Sequence, residues 1–128
     1  MSLRTPLGRV LGLGSAKEGV SHWYSQRVSA VAVALLSVWL LVSMLVLGAT
    51  GYDEVIGWLR SPFNATLAAL LVASLAHHGT LGLQVVIEDY VGNKGTRVLL
   101  IVAVKFVMTA AAVIGVLSIL RVAVGAPA

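Results

Sequence analysis

The sequence predicts an all-α integral membrane protein with three transmembrane helices, and two observations carry that prediction. The first is composition: of 128 residues, 59% are hydrophobic and only 11% charged, with a mean hydropathy of +0.97. A soluble domain of this length does not tolerate that balance, so water is not the chain's main solvent. The second is the distribution of the apolar residues in three runs, Val28–Gly48, Phe63–Val86 and Val98–Leu120. Each is about long enough to cross a hydrocarbon core of roughly 30 Å as a helix. A bilayer offers no partner to an exposed N–H or C=O, so a spanning segment has to satisfy its backbone internally, and the β-branched residues in these runs do not argue against helix. With no repeat, linker or low-complexity tract, residues 1–128 form one domain.

Residues 1–27 precede the first run and read as a cytoplasmic segment. Pro6 and the glycines at 8, 12, 14 and 19 break helix, which predicts an irregular course over residues 1–20. The basic residues before Val28 do not make a cleaved secretion signal. The apolar run is longer than the roughly 7–15 residues of a signal core, begins too far along the chain, and is followed by two more. Trp23 and Tyr24 stand just ahead of the run, where amphipathic rings favour the headgroup region. Arg27 stands one residue before it. Arg27 has two readings: it orients the span, or its guanidinium binds an anionic group lying between helices.

Charge sets the expected topology. Arg4, Arg9, Lys17 and Arg27 precede the first span, and Lys94 and Arg97 lie in the second connection, against Arg60 alone in the first connection and Arg121 at the far end. By the positive-inside rule the amino terminus is cytoplasmic and the carboxyl terminus lies on the opposite side. The net charge of +4 and a pI near 10.0 therefore reflect membrane edges. They do not form a basic patch with interleaved aromatics, and no nucleic-acid partner is expected. The absence of cysteine excludes thiolate metal sites, iron–sulfur ligation and thiol nucleophiles from this chain, so any redox centre has to use histidine.

The first connection, residues 49–62, ends in Ser61-Pro62, which predicts a serine-capped helix start with proline in the first turn. The second connection, residues 89–96, contains Gly92, Asn93 and Gly95 and predicts a tight turn using left-handed backbone, which makes the helices on either side antiparallel neighbours. In the third span the exceptions to an apolar composition are Lys105, Thr109 and Gly115. Lys105 lies about 12 Å along the axis from Arg97, close enough to snorkel towards the cytoplasmic interface or to pair with a partner subunit; the alternative is a proton-carrying lysine.

The second helix holds most of the polar residues: Asn64, Thr66, Ser74, His77, His78, Thr80 and Gln84, followed by Glu88-Asp89-Tyr90. Ionisable groups at membrane depth mark functional positions by default. His77 and His78 cannot share one role, because successive residues point about 100° apart around a helix. Ser74, Gly82, Val85 and Asp89 lie on the face of His78. A serine and a glycine one turn either side of a histidine leave room for a flat macrocycle to approach the backbone, with the imidazole as an axial nitrogen; a histidine bonded to a neighbouring helix is the other reading. Asp89 and Tyr90 reach the headgroups, with Tyr90 about 18 Å along the axis from His78. There they serve either as belt anchors or as a phenol and carboxylate that bind a carbonyl and handle its proton.

Two segments resemble the small membrane anchor of succinate dehydrogenase, respiratory complex II. His77-His78-Gly79-Thr80-Leu81-Gly82-Leu83-Gln84-Val85-Val86-Ile87-Glu88-Asp89-Tyr90-Val91 is similar to the family signature, in which the tyrosine of Asp-Tyr-Val follows a histidine by twelve residues, and His78 has that separation from Tyr90. His22-Trp23-Tyr24-Ser25-Gln26-Arg27-Val28-Ser29-Ala30 is similar to the bacterial opening His-Trp-x-x-Gln-Arg-x-Thr/Ser-Ala. The resemblance implies a helical bundle completed by a partner anchor subunit. It implies His78 as one axial ligand of a b-type haem shared with that larger cytochrome b anchor, Arg27 near a propionate, and His22, or Ser21 by a second alignment, near the haem edge. It implies Tyr90 hydrogen-bonding ubiquinone or menaquinone, with Asp89 in support. It also implies an iron–sulfur subunit and a flavoprotein subunit as partners, which hold the flavin and clusters that this chain does not, and residence in the bacterial inner membrane. The sequence departs from many bacterial relatives in continuing Asp-Tyr-Val as Gly92-Asn93-Lys94 where they have a histidine, so a titratable group is missing there. Fumarate reductase anchors, with or without haem, and a non-redox three-span helper are the competing readings. An enzyme acting alone lacks a nucleophile, base and metal set.

Overall fold

A computed structural model describes residues 19–48 and 51–125. These form four helices, α1 (Gly19–Leu47), α2 (Tyr52–Leu59), α3 (Pro62–Tyr90) and α4 (Lys94–Ala123), with no strand among the described residues. Three of them, α1, α3 and α4, are long and apolar enough to cross a membrane. At 1.5 Å per residue each spans about 45 Å, enough for the hydrocarbon core and both interfaces. The fold is an all-α, multi-pass membrane architecture. Most of the segment expected to be irregular over residues 1–20 lies outside the described residues, while Gly19 and Val20 are already helical.

The long helices overrun the apolar runs, because helix ends are set by caps rather than by hydropathy. Helix α3 continues through Glu88-Asp89 to Tyr90, and α4 begins at Lys94, four residues before Val98. The connection between them is only residues 91–93, and it corrects the left-handed turn expected from Gly92, Asn93 and Gly95: among the described residues the positive-φ positions are Gly48 and Gly125, neither of them in this turn. The chain instead reverses through extended backbone at Val91 (φ −99°, ψ 102°) and Asn93 (φ −75°, ψ 119°). Asn93 caps α4 by accepting from the Thr96 N–H at 3.1 Å. Arg97 donates to the Val91 carbonyl through Nε at 3.0 Å and through a terminal nitrogen at 2.8 Å, closing the turn without left-handed residues.

The first connection, which no apolar run marks, holds the eight-residue helix α2. Glu54 accepts from the Gly51 N–H at 2.6 Å and caps its start. Val55, Ile56, Trp58 and Leu59 are half-buried, while Tyr52, Asp53, Glu54, Gly57 and Arg60 are exposed, a short amphipathic turn at the end of the bundle. Trp58 stacks on Trp39 of α1, ring centroids 5.3 Å apart, and its carbonyl accepts from Asn64 of α3 at 3.0 Å. Ser61 occupies the N-cap position of α3 with Pro62 behind it, as expected, but its side chain makes no capping bond.

Helix α3 is central, packing along both α1 and α4, with α2 against α3 and α4. The contacts use small residues, since lipid is as apolar as leucine and helices in a bilayer associate by close approach. Ala65, Ala68 and Leu71 of α3 are the buried apolar residues. A Cβ on Gly115 of α4 would come within 2.9 Å of Val72 Cγ1, and one on Gly79 of α3 within 2.7 Å of Met108 Cε. A methionine tip can swing aside, whereas branched Val72 is stiff about χ1. Gly115→Val is therefore expected to destabilise the α3–α4 pair by about 1–3 kcal/mol. Gly57→Ala, which meets nothing within 4 Å, is expected to be neutral or stabilising. Thermal aggregation of the detergent-solubilised protein measures both.

Candidate functional site

Two serines one turn apart on α1 meet the two consecutive histidines of α3. Ser25 Oγ is hydrogen-bonded to His77 Nε2 at 3.0 Å, and Ser29 Oγ to His78 Nδ1 at 3.1 Å. Because the histidines diverge by about 100°, both cannot address α1 in the same way. His77 uses its far nitrogen and His78 its near one. The consequence is asymmetric: His77 has Nε2 engaged, whereas Nε2 of His78 has no hydrogen-bond partner among the described residues. Ser29 is 8% exposed, the buried polar residue among those described, and its hydroxyl also donates to the Gln26 carbonyl at 3.0 Å.

One turn closer to the α3 carboxyl end lies a cleft of about 620 Å³ lined by His22, Trp23, Gln26 and Arg27 of α1 and by Gly82, Gln84, Val85 and Glu88 of α3. Two buried side-chain atoms among the described residues have no partner, His22 Nε2 and Gln26 Oε1, and both belong to residues lining this cleft. Buried polar atoms of this kind are satisfied in native proteins by another polar group, ordered water or a bound ligand. The lack of a side chain at Gly82 keeps the cleft open; a Cβ there would sit 3.6 Å from Gln26 Nε2. Arg27 is exposed, its guanidinium carbon 5.7 Å from the Trp23 ring centroid, and it makes no ion pair with a described residue. An anion entering here meets the Arg27 guanidinium and a histidine nitrogen on the α1 side and the Glu88 carboxylate on the α3 side.

The structure thus brings His22 and Arg27 together with Gly82 and Val85 of the His78 face. It divides the rest of that face. His78 turns its near edge to Ser29, and Ser74 lines a separate cleft of about 460 Å³ with Ser29 and His77. Tyr90, 85% exposed, and Asp89 end α3 outside the linings of these clefts. The carboxylate that faces the His22–Arg27 cleft is Glu88, which accepts from Gln84 Nε2 at 2.8 Å. Lys105 lines a third cleft, of about 790 Å³, between α1, α3 and α4, together with Ser21, His22, His77, Thr80 and Thr109. His77 opens onto that side. Among the described residues no three His, Asp or Glu converge to hold a metal ion, so a metal bound by His78 needs its remaining ligands from elsewhere.

Sequence reasoning missed Ser25, Ser29 and Gln26 as site residues. The signal was present: Ser21, Ser25 and Ser29 recur every fourth residue, with His22 and Gln26 beside them, a polar stripe entering an otherwise apolar helix.

The pattern of the succinate dehydrogenase/fumarate reductase transmembrane subunits matches residues 1–114. The succinate dehydrogenase hydrophobic membrane anchor subunit of Rickettsia bellii is 37% identical over 102 residues, covering 80% of this chain and 82% of that protein. That of Rickettsia conorii is 39% identical over 93 residues, 72% of this chain and 74% of the relative. That of Paracoccus denitrificans is 32% identical over 93 residues, covering 73% and 71%. With the three-span fold and the two polar segments in place, these likenesses make the chain a member of the succinate dehydrogenase/fumarate reductase transmembrane subunit family, among its hydrophobic membrane anchor subunits.

Proposed function

We propose that this chain supplies half of a haem site and part of a quinone site to a succinate:quinone oxidoreductase. In that complex a flavoprotein subunit would hold the flavin that oxidises succinate, an iron–sulfur subunit would carry the electrons, and quinone would accept them at the membrane edge. The observation that carries the reading is the state of the two histidines: His78 is held through Nδ1 and keeps Nε2 for a ligand, while His77 does not. The donor set of the neighbouring cleft fits the same group. His22 Nε2, the Arg27 guanidinium, which makes no ion pair with a described residue, and the open backbone at Gly82 suit an acidic, flat macrocycle, with Glu88 the carboxylate beside it and His78 one turn away, outside this cleft's lining. A b-type haem, when bound, supplies reversible one-electron exchange. His78 would hold its iron from this side, a residue of the larger cytochrome b anchor would complete the ligation, and Arg27 and His22 would bind its acidic groups.

Tyr90 and Asp89 are exposed at the end of α3, where a phenol can donate to a quinone carbonyl and a carboxylate can orient that hydroxyl or pass a proton. A ubiquinone or menaquinone there lies beneath the iron–sulfur subunit, and its two protons arrive from the cytoplasmic side. The charge bias puts that edge, with the amino terminus, in the cytoplasm of a bacterial cell, and the Rickettsia and Paracoccus relatives support the inner membrane. An alkaline phosphatase fused to the carboxyl terminus is expected to be active and one fused to the amino terminus inactive; the reverse result would refute the topology.

A dithionite-reduced minus oxidised spectrum of the detergent-purified complex tests the haem assignment. His78→Ala is expected to lose the b-type signal and His77→Ala to keep most of it. Equal loss from both would end the assignment of the ligand to His78. Tyr90→Phe removes the phenol donor, and quinone reduction is expected to fall roughly tenfold, about 1.4 kcal/mol, while succinate oxidation by an artificial acceptor is unchanged. Parallel loss of both activities would instead mean that Tyr90 serves assembly.

A further inference from the structure

We infer that Ser29 is a positioning residue that sets the tautomer and orientation of His78, and through them the redox potential of the iron it holds; this rests on the haem reading above. The argument is a count of hydrogens. A serine hydroxyl has one hydrogen to give and two lone pairs to receive. In Ser29 that hydrogen goes to the Gln26 carbonyl at 3.0 Å, three residues back along α1. Towards His78 Nδ1, 3.1 Å away, the oxygen can then only accept. A neutral imidazole that donates from Nδ1 carries its lone pair on Nε2, the nitrogen with no partner among the described residues. The backbone of α1 thus decides, through one hydroxyl, which nitrogen of a histidine on α3 is free to bind a metal.

Burial makes the device stiff. Ser29 is 8% exposed, so water does not readily replace its oxygen, and a Nδ1–H left facing apolar side chains would be an unpaired donor. The contrast with Ser25 is instructive: His77 meets its serine through Nε2 at 3.0 Å, so the same residue type on the next turn occupies the nitrogen that Ser29 leaves free. A hydrogen bond from Nδ1–H to a neutral oxygen makes the imidazole a better electron donor at Nε2, which favours the oxidised metal and lowers its potential.

Threonine and valine at position 29 separate the hydroxyl from the packing, since they share a shape and differ in the one group. Threonine can also make the same bond back to the preceding turn. The experiment is a potentiometric titration of the haem in purified complexes carrying Ser29→Thr, Ser29→Val and Ser29→Ala, with the low-temperature EPR signal of the oxidised haem recorded on each. Ser29→Thr is expected to match the wild type, while Ser29→Val and Ser29→Ala shift the midpoint potential upward and move the highest g value. Loss of haem from Ser29→Val with retention in Ser29→Thr supports the same role. Unchanged potential and EPR signal in Ser29→Val, or equal behaviour of the threonine and valine variants, overturns it. If His78→Ala removes the haem while Ser29→Val leaves it untouched, the serine's role fails and the ligand assignment stands. If the wild-type complex carries no haem, the haem reading fails and the role of Ser29 falls with it.

Discussion

A histidine placed at membrane depth has to find a partner on another helix, because neither lipid nor its own backbone offers one. In this chain both histidines of α3 find serines on α1, at 3.0 and 3.1 Å. The rest of the arrangement follows from that pairing. It holds the amino-terminal half of α1 against α3, which places His22, Gln26 and Arg27 opposite Gly82 and Val85. It leaves the near neighbours of the serines as the lining of the clefts on either side. The α3–α4 pair is built differently, from close approaches at Gly79 and Gly115 with no cross-helix polar bond among the described residues.

The chain by itself encloses little. Val31, Leu35, Val38, Leu41, Val42 and Leu45 of α1 are exposed, as are Leu99, Phe106, Val107, Ile114 and Leu117 of α4. Lipid accounts for such surfaces without a partner. It does not account for buried polar atoms left without bonds, and those occur among the described residues at His22 and Gln26, beside Arg27, which makes no ion pair with a described residue. A subunit that shares its site with a neighbour has this form: satisfied where its own helices meet, unsatisfied where another chain or a cofactor completes the set. The family membership, an anchor within a larger dehydrogenase, accords with that division.

Much of the fold was legible because the bilayer removes alternatives. Given three apolar runs and a solvent that cannot bond to the backbone, helices were the one available answer, and the short second connection made α3 and α4 neighbours. The details that escaped were those governed by local capping. Helix α2 lies in a stretch with no apolar run long enough to mark it, and it is held by Glu54 on Gly51 and by the Trp39–Trp58 stack, the second a contact between residues far apart in sequence. The turn after Tyr90 contains Gly92 yet does not use it in the left-handed region, and Gly95 falls within α4, because Arg97 and Asn93 satisfy the carbonyl and N–H groups that a glycine turn would otherwise have closed.

From the sequence alone came the class of fold, the two polar segments and the separation of His78 from Tyr90, since these depend on composition and on a helical repeat that is the same in every protein. The tertiary structure decided which nitrogen of each histidine is engaged, that Ser29 is the buried hydroxyl between α1 and α3, and that Glu88 rather than Asp89 faces the His22–Arg27 cleft. The helical repeat assigned Ser74, His78, Gly82 and Asp89 to one face, but a face is continuous only until another helix crosses it. Helix α1 crosses this one at Ser29, and the angle and register of that crossing are set by packing between residues some fifty positions apart, which no local pattern encodes.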